Sequence, residues 1–211
     1  LDNVRRLANG LPAHGVLLWG ARGTGKSALT KAGVATVQAE GGPKGGDVAL
    51  IEAQADALDT LPQLFALIAA STRAFVIFLD DLGFDAASDG RALRSLLEGG
   101  AEARPANARL FVTSNRRHLI PRNLEEQSSA INPRDSIDDN LALADRFGLS
   151  LGFHAIDQDT YVAIVRTYAQ DHGLPFDAAE AVNWATRRGS RSGRVAWQYV
   201  VDLAGRSGKR L

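Results

Sequence analysis

Short apolar runs alternate along the chain with longer stretches whose apolar positions recur at helical spacing. The runs are Val16–Gly20, Val48–Glu52, Phe75–Leu79, Leu110–Thr113 and Leu149–Phe153, and each predicts a β-strand. Phe75–Leu79 is continuously apolar, as expected for a strand buried on both faces. Between the runs, Ser27 to about Glu40 predicts a helix. Leu58–Ala70 carries Leu61, Leu64, Phe65 and Ile68 on one helical face, and Arg91–Gly99 repeats Leu93, Leu96 and Leu97 before stopping at Gly99-Gly100. Glu40–Gly46 is a loop by its glycine and proline content, and Pro121–Pro133 is polar and irregular. From Asp157 onward the strand signals cease, and helical stretches follow near Asp159–His172, Asp177–Arg187 and Arg194–Ala204. The pattern predicts a parallel α/β core over residues 1–155 and a small all-helical domain over residues 156–211.

Composition narrows the classes. At 211 residues, with 45% apolar and 23% charged, the chain can bury a sizeable core. Lysine plus arginine and aspartate plus glutamate both number 24, so no global field selects nucleic acid or an acidic partner. Cysteine is absent, which excludes disulfides and thiolate metal sites. His14, His118, His154 and His172 are scattered without metal-ligand spacing. With no apolar stretch of spanning length and no secretory pattern, the expected compartment is the cytoplasm, with no membrane partner. A chain that starts at Leu1 and contains no methionine is expected to be a fragment or a trimmed chain.

The chemistry begins at Gly20-Ala21-Arg22-Gly23-Thr24-Gly25-Lys26-Ser27, which fits G-x-x-x-x-G-K-[ST] at every fixed position. A strand-type run precedes it and a helix-compatible stretch follows, the context a phosphate-binding P-loop requires. Glycines let the loop turn backbone N–H groups inward, and the positive end of the next helix completes an anion cradle. Lys26 would add a point charge for the β- and γ-phosphates, and Ser27 a hydroxyl for Mg²⁺.

Downstream, Phe75–Leu79 ends in Asp80-Asp81, an apolar strand tipped by two acids, the form of a Walker B element. Asp80 would hold Mg²⁺, directly or through water, and Asp81 would polarise the water that attacks the γ-phosphate. The alternative is a strand ending in a solvated acidic turn. Leu110–Thr113 runs on into Ser114-Asn115, whose amide would lie between the two elements, although Ser-Asn after a strand is also an ordinary turn signal.

In this order the motifs resemble the AAA+ ATPases, over almost the whole chain. The resemblance implies a P-loop NTPase of AAA+ type: a parallel five-stranded sheet with flanking helices, plus a C-terminal helical lid. It implies Walker A at Gly20–Ser27, Walker B at Asp80-Asp81 and sensor 1 at Asn115. The nucleotide-contacting set would be Gly20, Ala21, Arg22, Gly23, Thr24, Gly25, Lys26, Ser27, Leu29 and Arg194; the metal would take Ser27 and Asp80, and the cofactors would be ATP or ADP with Mg²⁺. Leu143-Ala144-Asp145-Arg146-Phe147-Gly148 is similar to the segment that carries an arginine finger. Arg146 would then reach the γ-phosphate bound by a neighbouring subunit; otherwise it pairs with Asp145 or another acid at the surface. Ser192-Gly193-Arg194-Val195-Ala196 falls where sensor 2 opens a lid helix, with Arg191 as the competing candidate. More closely, Thr113–Leu119, Asp145–Leu149 and Arg188–Gln198 resemble a bacterial AAA+ family designated domain of unknown function 815. One departure stands out. Most AAA+ proteins place glutamate second in Walker B, whereas Asp81 is one methylene shorter, which sets its carboxylate back from the water.

Two function classes follow. One is an ATPase working at subunit interfaces of a homo-oligomer to remodel a macromolecular assembly. The other is a nucleotide-gated binding or assembly module with slow hydrolysis, including a nucleic-acid-associated loader. Ile51–Leu58 has neither aromatic residue nor glycine, which counts against a threading unfoldase. Arg187, Arg188, Arg191 and Arg194 could contact nucleic acid, but no aromatics are interleaved with them.

Overall fold

Five strands form one parallel sheet in the order β2-β3-β4-β1-β5 in a computed structural model that describes residues 1–41, 47–82, 93, 96–97, 104–115 and 146–211. The strands are β1 (Val16–Gly20), β2 (Val48–Ala53), β3 (Ala74–Leu79), β4 (Ala108–Ser114) and β5 (Leu149–Phe153). Among the described residues, the complete helices are α1 (Asp2–Ala8), α2 (Lys26–Glu40), α3 (Leu61–Ala69), α4 (Gln158–Asp171), α5 (Ala178–Arg187) and α6 (Gly193–Arg206). The Arg91–Gly99 stretch apart from 93, 96 and 97, the Pro121–Pro133 stretch, residues 116–119 and Asp145 lie outside the described residues.

The central strands are the most apolar. In β3 every residue but Phe75 is buried, and in β4 every residue but Arg109. The edge strands β2 and β5 are mostly half-buried or exposed. Parallel pairing brings Trp19 opposite Ser114 and Leu79 opposite Val112, so the carboxyl ends of β1, β4 and β3 stand in a row. That edge is where an open α/β sheet presents ligand chemistry.

Three local details differ from the sequence pattern. Helix α1, too short to show a period, is held by Val4, Leu7 and Ala8, which are buried. The helix expected over Leu58–Ala70 is a 3₁₀ segment, Ala55–Thr60, followed by α3. Pro62 sits in the first turn of α3, where its missing N–H costs nothing. Finally, β4 begins at Ala108, earlier than its apolar run.

The residues divide into two units, Leu1–Gly20 with Lys26–Gly152 and Ala21–Gly25 with Phe153–Leu211. In the second, Tyr161, Val165, Ala169, Ala181, Ala185, Val195, Tyr199 and Val200 are buried together between α4, α5 and α6. Each helix starts on a side-chain cap: Asp157 accepts from the Thr160 N–H at 2.8 Å, Asp177 from Glu180 at 2.7 Å and Ser192 from Val195 at 3.2 Å. Tyr199 donates to Glu180 at 3.0 Å, and Arg206 joins the same carboxylate at 2.7 Å. Burial first, then the Glu180 carboxylate, push the Tyr199 hydroxyl up to about 12.

The Asp157 cap gives a pH-dependent prediction. The Thr160 hydrogen bond, then the charge of Arg191, hold its carboxyl below the ordinary value. A depressed folded value means the contribution is present above the unfolded value of about 3.9 and is lost as pH falls through the folded one. Asp157→Ala is expected to lower the thermal midpoint at pH 7, and its gap from wild type should close in acid. An equal gap at pH 7 and pH 2.5 would contradict this.

Candidate functional site

Lys26 opens α2 directly behind the glycine loop and is 5% exposed. Its ammonium donates to the Gly20 carbonyl and to Asn115 Oδ1, each at 3.0 Å. A cation at the first position of the helix that follows a glycine loop suits an anionic ligand. Next to it, Ser27 Oγ donates to Asp80 Oδ1 at 2.6 Å. A hydroxyl beside one carboxylate is a hard-oxygen donor pair of the kind Mg²⁺ uses together with substrate phosphates. Among the described residues no group of three or more His, Cys, Asp or Glu is placed to hold a metal alone.

The acids and the amide are linked to each other. Thr113 Oγ1 donates to Asp80 Oδ1 at 2.6 Å and accepts the Asp81 backbone N–H at 2.8 Å. Asn115 Nδ2 donates to Asp81 Oδ1. Lys26, Ser27, Asp80, Asp81 and Asn115, expected in one place from sequence, are thus joined in one polar network at the carboxyl edge of the sheet. Thr113 joins them without having been expected to. A buried polar residue in an otherwise apolar central strand was the available signal, since such a group needs partners. Leu29, on the first turns of α2, is 50% exposed.

The loop residues Ala21–Gly25 belong with the helical unit. Thr24 donates to the Ala21 carbonyl at 2.8 Å, and Arg22 is exposed. Gly23 and Gly25 have φ of +72° and +96°, the left-handed region where glycine is at ease. A Cβ on Gly23 would meet Ser192 Cβ at 2.6 Å, and the Gly193 N–H donates to the Gly23 carbonyl at 2.9 Å. The loop therefore touches the start of α6. Arg194 is exposed on the first turn of that helix, while Arg191, also exposed, acts on Asp157. Arg188 lies 4.3 Å above the Trp184 ring and donates to Gln198 at 3.3 Å.

Arg146 is exposed just before β5, and its neighbour Phe147 is buried in the core of the first unit. The Leu149 N–H, three residues on from Arg146, donates to the Gly15 carbonyl at 3.2 Å.

The model of a family described as "Protein of unknown function (DUF815)" matches residues 1–207. The chain belongs to this family. No curated protein matches this DUF815 chain. Among solved structures, a variant of Thermotoga maritima RuvB superposes with a TM-score of 0.59 at 17% identity, covering 98% of the DUF815 chain and 60% of RuvB. Aeropyrum pernix ORC2, solved as ADPNP–ADP complexes, gives 0.55 at 16% identity, covering 95% and 65%. The FIGL-1 AAA domain in complex with ADP gives 0.50 at 18%, covering 82% and 56%. The DUF815 chain thus spans about three fifths of the length of these proteins, and the likeness establishes its fold, that of the AAA+ P-loop proteins. No helix among the described residues is long and apolar enough to cross a membrane.

Proposed function

We propose that the chain binds ATP with Mg²⁺ and hydrolyses it to ADP and phosphate in an assembly of several copies. The observation that carries this reading is the network joining Lys26, Ser27, Asp80, Asp81 and Asn115 at the carboxyl edge of the sheet. Gly20–Gly25 would wrap the phosphates, with Leu29 in van der Waals contact. Lys26 would exchange the Asn115 oxygen for the β- and γ-phosphates. Ser27 and Asp80 would hold Mg²⁺, whose charge offsets that of the phosphates. Asp81 would accept the proton of the attacking water, with Asn115 aligned beside it. Arg194 would contact the phosphates as sensor 2; Arg191 is the weaker candidate because its charge acts on Asp157.

Arg146 would act in trans. Its support is an exposed position just before β5, in the segment that resembles one carrying an arginine finger. A homo-oligomer would bring it to the loop of the next copy, where a guanidinium can be worth roughly 10³–10⁵ in rate. We place the activity in the cytoplasm, on a macromolecular assembly as client. RuvB is a Holliday junction branch migration motor, so DNA is the first client to try.

A second reading has its own observation. Asp81 is short and already engaged by Asn115, an arrangement suited to slow turnover in a nucleotide-gated module. Turnover measured against protein concentration, with and without DNA, separates the two. Arg146→Ala should spare ATP binding yet remove the concentration-dependent part of turnover. Mixing it with Lys26→Ala should restore some, because one chain brings an intact loop and the other an intact arginine. Concentration-independent turnover without rescue would place Arg146 outside the reaction.

A further inference from the structure

Thr113 stands one strand over from the acidic pair and is 2% exposed. A hydroxyl has one proton to give and lone pairs to accept with. Here the proton goes to Asp80 Oδ1 at 2.6 Å, and the oxygen accepts the Asp81 N–H at 2.8 Å. The Thr113 carbonyl accepts the Leu82 N–H at 2.9 Å. One residue of β4 thus ties down three consecutive residues at the tip of β3.

Between these ties Asp81 has φ +53°, the only positive value on a residue other than glycine among those described. Such a conformation persists where surrounding bonds over-determine it, and the two hydrogen bonds to Thr113 do so. The left-handed turn brings the Asp81 carboxylate to Asn115. We infer that Thr113 is the positioning residue for both acids, and that its hold on the backbone at 81 is what lets the shorter aspartate serve where a longer acid is usual. The bend re-aims the main chain where a glutamate would extend the side chain. This rests on the ATP reading above.

Thr113→Val keeps the shape and removes the hydroxyl; Thr113→Ser keeps the hydroxyl. Calorimetry of ADP binding across a Mg²⁺ series gives a readout independent of turnover. In Thr113→Val the Mg²⁺ concentration for half-maximal binding should rise about tenfold, the scale of one hydrogen bond to a charged group. ADP affinity in chelator should stay unchanged. Turnover should fall on the order of 10²-fold at similar KM, the scale of a 1 Å misplacement. Thr113→Ser should recover both properties, whereas a purely structural hydroxyl would alter only the unfolding midpoint. Should Thr113→Val fail to fold, Thr113→Ala takes its place against Thr113→Ser. Wild-type Mg²⁺ dependence and turnover in a folded variant lacking the hydroxyl would overturn the assignment and leave the ATP reading intact. Absence of Mg²⁺-dependent nucleotide binding by the wild type would overturn both.

Discussion

Lys26→Ala is expected to abolish tight binding of Mg-ATP while leaving the nucleotide-free chain folded. The Lys26 ammonium is 95% removed from solvent and donates to the Gly20 carbonyl and to Asn115 Oδ1, among its partners. Removing one partner of a buried, hydrogen-bonded charge pair costs about 2–5 kcal/mol of binding, so affinity should fall roughly 30-fold to several thousand-fold. Calorimetry measures the first half and thermal unfolding without nucleotide the second; Lys26→Met, which preserves the aliphatic stem, is the control for packing. Equal affinity in wild type and variant would remove the P-loop assignment. A midpoint well below wild type in both variants would make Lys26 a structural residue.

Asp81→Asn should separate binding from hydrolysis. The carboxylate sits at the end of β3 with Asn115 donating to it, while Asp80 is engaged by Ser27 and Thr113. The two acids are adjacent in sequence but have different neighbours, so their replacements should fail differently. An amide at 81 cannot accept the proton of water, and loss of general-base assistance is worth about 10²–10⁴-fold. Nucleotide affinity should hold within a few fold, because Asp81 is not among the proposed Mg²⁺ donors. Asp80→Asn should instead shift the Mg²⁺ requirement. Wild-type turnover in Asp81→Asn would mean that another group organises the water.

Much of this was legible from residue order. The strands are short apolar runs bounded by polar or glycine residues, and burying both faces of β3 and β4 requires such runs. The glycine loop ahead of α2 was legible as a tight turn, and Gly23 and Gly25 take the left-handed φ that glycine favours. What the sequence did not show depends on registration between strands. Thr113 reads as an ordinary β-branched strand residue until β4 is set beside β3, and only then does its hydroxyl fall between Asp80 and Asp81. The left-handed turn at Asp81 is likewise a product of bonds from a distant segment. Helix α1 escaped because a single turn or two carries no measurable period, and its docking against α2 and β3 supplies what propensity lacks.

The hydrogen bond from Gly193 to Gly23 has a thermodynamic corollary. It makes the loop and the start of α6 one mechanical element, so a partner that grips the three C-terminal helices also does work on Gly23. Linkage then requires reciprocity: if such a partner alters nucleotide affinity by some factor, nucleotide must alter the partner's affinity by the same factor. A client of this chain could therefore be sought by its response to nucleotide alone, with hydrolysis blocked.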